Sequence, residues 1–74
     1  MTSKRPQMLG KPLSPRELET LQLMADDCRE KTIAARMGVS TQTVSTYKMA
    51  VFSKLGVCTS QGAVAVGLRR GLVH

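Results

Sequence analysis

Few residues in this sequence have the types and spacing that covalent chemistry requires. Asp26 and Asp27 come nearest to a pair of working carboxylates. Neighbours on a helix diverge by about 100°, however, so the two cannot share one reacting atom, and they read as a solvated helix end. Cys28 and Cys58 lie far apart with no Cys-x-x-Cys spacing, and the single histidine is the terminal His74. No zinc site can be assembled from these residues, and two free thiols are expected. No base stands beside a nucleophile and no glycine-rich loop could cradle a phosphate. The sequence therefore implies neither an enzyme nor a cofactor, and what remains is the chemistry of charge and hydrogen bonding.

That chemistry is unevenly distributed. Eleven Lys and Arg against five Asp and Glu give a net charge of +6 over 74 residues. Residues 1–12 carry Lys4, Arg5 and Lys11, whereas residues 13–28 set Arg16 against Glu17, Glu19, Asp26 and Asp27. From Arg29 onward Arg29, Lys31, Arg36, Lys48, Lys54, Arg69 and Arg70 face Glu30 alone. The last 46 residues should thus present a positive surface to a polyanion, with nucleic acid the leading candidate.

A hydrogen-bonding face lies within the same basic stretch. Val44, Tyr47, Val51 and Leu55 recur at spacings of three and four. On a helix over Thr41 to Leu55, about 22 Å long, they turn inward and leave Gln42, Ser45, Thr46, Met49 and Ser53 outward. Gln42 suits adenine, Ser45 and Thr46 can bond several base edges, and Met49 can pack on a thymine methyl. None of these is Arg, the side chain best matched to guanine, so base-specific affinity per monomer should be modest. Lys31, Thr43 with the helix N-terminus, Lys48 and Lys54 flank the face and are the expected phosphate contacts.

The elements that must position this face are four short helices. Residues 1–12 combine two prolines, a glycine and three bases with little apolar content, which predicts a flexible basic arm. Ser14 is an N-cap, Pro15 occupies the first helical position and Glu17 closes a capping box. Helix 1 is therefore expected over about Pro15 to Asp27, with Leu18, Leu21, Met24, Ala25 and Cys28 on its apolar stripe. Helix 2 runs from about Glu30 to Met37 and is stopped by Gly38. Ser40 caps helix 3, and Gly56 ends it. A fourth helix starts near Thr59 or Ser60 and reaches about Arg70 before Gly71. No segment has strand periodicity, so residues 13–74 form one all-α domain. At this size a single core supplies on the order of 3 to 5 kcal/mol.

Ile33, Ala34, Met37, Gly38, Val39, Val44 and Tyr47 set two helices around a tight corner. Ala34 is the small residue where they cross, Gly38 reverses the chain, and Val39 with Val44 pins the second helix to the first. A plain helical hairpin could share this turn, but its place in the basic half of the chain favours a helix-turn-helix.

Residues 13–73 also resemble the LuxR/FixJ-type (GerE-like) helix-turn-helix domain of bacterial transcription regulators. The resemblance rests on Leu13-Ser14-Pro15-Arg16-Glu17, Lys31-Thr32-Ile33-Ala34, Val39-Ser40-x-x-Thr43-Val44, Lys54-Leu55-Gly56-Val57 and Gly71-Leu72-Val73, in order over about 60 residues. It implies sequence-specific binding of duplex DNA, usually as a dimer on a two-fold site, with helix 3 in the major groove. The chain departs from the family pattern at Thr32, where Glu is usual, and at Asp27, where Gly is usual. It departs again at Tyr47, often His, and at Gly62 and Gly67, where Glu or Asp and Ala are common.

Helix 4 has more apolar residues than one buried face requires. With Ala63, Val64 and Gly67 turned inward, Gly62, Ala65, Val66 and Arg69 are expected on an outward strip of small residues. That strip would let two copies approach about a two-fold axis, with both copies of helix 3 roughly 34 Å apart. Two alternatives keep the same helices. A sigma region-4-like module would contact RNA polymerase, and a protein-interaction module or anti-activator would pair with another regulator. The longest apolar stretch, Ala63 to Leu68, is far short of the roughly 20 residues of a membrane span. No signal core opens the chain, so a cytoplasmic protein is expected.

Overall fold

The computed structural model describes residues Leu9 to His74 and contains four helices. They are α1 (Pro15–Ala25), α2 (Glu30–Met37), α3 (Thr41–Leu55) and α4 (Ser60–Arg69), with no strand among the described residues. Local chemistry sets most of the boundaries. The Ser14 hydroxyl accepts from the Glu17 N–H at 3.2 Å, and the Glu17 carboxylate accepts from the Ser14 N–H at 2.9 Å, which closes the expected capping box. Ser40 and Thr59 cap α3 and α4 in the same way, accepting from the Thr43 and Gly62 N–H groups.

The end of α1 differs from expectation. The helix stops at Ala25, Asp26 is its C-cap, and Asp27 adopts the left-handed conformation at φ 62°. The two further helical residues expected, Asp26 and Asp27, are absent from the helix because Asp27 takes the reversing role that glycine usually fills. Aspartate tolerates this region better than most residues with a Cβ.

Two clusters make up the core. Leu21, Val51, Leu55, Ala63 and Val73 join α1, the C-terminal half of α3, α4 and the tail. Ile33, Ala34, Met37 and Val44 join α2 to the start of α3, with Val39 and Tyr47 packed against them and Met24 touching both clusters. Gly67 lets the first cluster close: a Cβ there would lie 3.0 Å from Leu21 Cδ2 and 3.1 Å from Val73 Cγ2. Gln22 fastens the tail, donating to the His74 carbonyl at 2.7 Å and accepting its N–H at 3.1 Å.

The segment expected as an arm meets the domain at its far end. The Gly10 N–H donates to the Lys54 carbonyl at 3.1 Å, next to the end of α3. Residues 1–8, with Lys4 and Arg5, lie outside the described residues. No single described helix is long and apolar enough to cross a membrane. Among the described residues no cluster of His, Cys, Asp and Glu could hold a metal ion, and Cys28 and Cys58 are free thiols.

Candidate nucleic-acid interface

The turn between α2 and α3 positions the site. Gly38 sits at φ 71° as the C-cap of α2, where a Cβ would be strained, and its N–H donates back into the last turn of that helix. Arg16 braces the corner from α1, donating to the Met37 carbonyl and to Glu19 Oε1, each at 2.9 Å. The Tyr47 side chain and then Glu19 push the Arg16 pKa up, and the always-charged guanidinium sits over the carbonyl end of α2. Tyr47 itself is half-buried against the α2–α3 cluster, in keeping with its expected inward placement.

With Val44 and Val51 fully buried, the opposite side of α3 faces out. Gln42, Ser45 and Thr46 are exposed, and Met49 is 65% exposed. Met49 also lines an apolar groove with Leu9, Phe52 and Val57. Phe52, not expected inward, packs partly against the larger core, and Ser53 is half-buried rather than outward. The Ser45 hydroxyl donates to Glu30 Oε2 at 2.9 Å, and the Thr46 hydroxyl donates to the Gln42 carbonyl at 3.2 Å. The Thr43 N–H is capped by the Ser40 hydroxyl at 3.1 Å, with the two hydroxyls 3.0 Å apart.

The expected phosphate contacts divide. Lys31 is exposed at the start of α2, and Lys48 lies 3.8 Å from Glu30 Oε2 in a loose, partly exposed pair. Lys54 belongs elsewhere: its Nζ donates to Glu17 Oε1 at 2.6 Å, and both side chains are only 11% exposed. Burial alone would raise the Glu17 pKa, but Lys54 and the Ser14 N–H outweigh it and hold the carboxyl below its ordinary value. Lys54 thus ties α3 to α1 through this pair.

Helix 4 also needs correction. Ala65 and Arg69 are exposed as expected, but Gly62 and Val66 are half-buried, Val66 against the core and Gly62 beside Val57. Leu68, 53% exposed, joins Ala65 on the outward face instead. The functional neighbour that sequence reasoning missed is Glu30. Its signal was present, because it is the lone acid in the basic half of the chain, but only the fold brings it against Ser45.

An α2–turn–α3 unit with an outward polar face, braced by α1 and α4, defines a helix-turn-helix DNA-binding domain. The chain belongs to the luxR family of bacterial regulatory proteins, whose model matches residues 11–66. It is 34% identical over 62 residues to the transcriptional regulatory protein MctR of Rhizobium johnstonii, covering 84% of this chain and 29% of that protein. Its identity to the uncharacterized transcriptional regulatory protein YxjL of Bacillus subtilis is 37% over 66 residues, 89% of this chain and 30% of the relative. The chain therefore spans under a third of these relatives. The VqmA dimer of Vibrio cholerae, a LuxR-type receptor, matches it with a TM-score of 0.80 at 29% identity, over 99% of this chain and 33% of that one.

Proposed function

We propose that this domain binds duplex DNA sequence-specifically to regulate transcription, with α3 in the major groove. The observation that carries the reading is the two-sidedness of α3: Val44 and Val51 are fully buried on one side while Gln42, Ser45, Thr46 and Met49 are exposed on the other. These four read base edges. Lys31, Lys48, and Thr43 with the first turn of α3 contact phosphates and set the register. Selection from randomised duplex DNA at a fixed salt concentration tests the reading. A recovered two-fold motif supports it, and enrichment of no sequence contradicts it.

The domain works as a homodimer through α4, centred on Ala65 and Leu68 with Arg69 at the rim. Support comes from the exposure of these apolar side chains and from the dimeric state of VqmA. A two-fold axis here sets the two copies of α3 about one DNA turn, roughly 34 Å, apart. Ala65→Glu is expected to keep the helical circular dichroism and single half-site binding while abolishing cooperative occupation of two half-sites. Retained cooperativity in the folded variant excludes this interface.

A further inference from the structure

Two exposed hydroxyls of α3, those of Ser45 and Thr46, have already used their protons. A serine or threonine hydroxyl has one proton to donate and two lone pairs, whereas a carboxylate or a backbone carbonyl only accepts. In the 2.9 Å contact between Ser45 Oγ and Glu30 Oε2 the proton therefore comes from Ser45. In the 3.2 Å contact between Thr46 Oγ1 and the Gln42 carbonyl it comes from Thr46. Toward anything approaching from outside, both hydroxyls show lone pairs alone.

We propose that Glu30 is a positioning residue that fixes the hydrogen-bonding polarity of the α3 face, making Ser45 an acceptor that selects exocyclic amines. The inference deepens the DNA-binding reading and rests on it. In the major groove, adenine N6 and cytosine N4 carry amines that donate, whereas guanine O6 and N7 and thymine O4 only accept. An acceptor facing an acceptor forms no bond and leaves both groups stripped of water. Ser45 held by Glu30 thus favours adenine or cytosine at its position and rejects guanine and thymine. Thr46 shares the acceptor character through its own backbone, without help from Glu30. Lys48, 3.8 Å from the same carboxylate oxygen, stays within reach of a phosphate because the pair is long and partly exposed.

The test is selection from randomised duplex DNA at one salt concentration, with wild type, Glu30→Ala, Glu30→Gln and Ser45→Ala each shown by circular dichroism to be folded. Wild type should prefer adenine or cytosine about tenfold at one position of each half-site. Glu30→Ala frees the Ser45 proton, so that position should admit all four bases to within about threefold while the other positions keep their preferences. Glu30→Gln keeps an acceptor oxygen at the same reach and should retain the preference. Both Glu30 variants should bind all duplexes more tightly, because a negative charge near the phosphates is gone. An unchanged preference in Glu30→Ala overturns the proposal while leaving DNA reading intact, and so does equal relaxation in both Glu30 variants. If Ser45→Ala leaves every position unaltered, Ser45 does not face the bases. A wild-type selection that enriches nothing refutes the underlying DNA-binding reading.

Discussion

Each end of α3 carries a lysine, and the two are held differently. In its first turns Gln42, Ser45 and Thr46 are exposed, and Lys48 is held only loosely beside Glu30. In its last turns Val51 and Leu55 are buried, and Lys54 is clamped 2.6 Å from Glu17. The two lysines are six positions apart on one helix, yet one is loosely paired and partly exposed while the other holds the domain together. What differs is the surroundings. The Lys48–Glu30 pair keeps side-chain exposures of 25% and 39%, which leaves it open to solvent screening, whereas Lys54 lies beneath the capping box of α1. The charge of a side chain therefore says little about its role until its partner and its burial are known.

The largest expected effect breaks the structural end. Lys54→Ala or Glu17→Ala leaves one buried partner unpaired and should cost about 3 kcal/mol, near the low end for a buried ion pair because both side chains keep slight exposure. In a domain of this size that is most of the net stability, and urea unfolding would measure it. Lys48→Ala should change stability by less than about 0.5 kcal/mol, as expected of an exposed pair.

Acid sharpens the same contrast. The folded-state pKa of Glu17 lies below its ordinary value of 4.5, so its contribution is fully present above that value. It is lost as pH falls through the lowered folded pKa. The stability gap between wild type and Glu17→Gln should therefore narrow as pH falls below 4.5. A gap that stays constant down to pH of about 2 would contradict the ion pair.

These residues also show how far the sequence could be read. The bounds of α2 and α3 were legible because Gly38, Ser40 and Gly56 punctuate them, and the outward set Gln42, Ser45, Thr46 and Met49 followed from the apolar spacing. Lys54 was not legible, because its partner is 37 residues away and the capping box had already given Glu17 a task. The phase of α4 was only partly legible. Its residues are small, so the wheel discriminates poorly, and contacts with the rest of the core decide that Val66 turns in while Leu68 turns out. The end of α1 was obscured because Asp27 performs a reversal without glycine.

That last point gives a smaller predicted effect than the buried ion pair does, and one of opposite sign. Asp27→Gly removes a Cβ from a left-handed residue and should stabilise the domain by about 1 kcal/mol. A thermal melt should move upward by roughly 4 to 8 °C. No gain would mean that Asp27 is held there by an interaction worth as much as the strain.

The most direct measurement is the salt dependence of duplex binding for two lysine variants, under conditions where both are folded. Lys48→Ala should weaken binding on specific and random DNA alike and lower the log–log salt slope by about one counterion. Lys54→Ala, with its affinity corrected for the unfolded fraction, should keep the wild-type slope. Equal loss of slope in both variants, or a loss for Lys54→Ala alone, would contradict the assignment of DNA contact to one end of α3 and structure to the other.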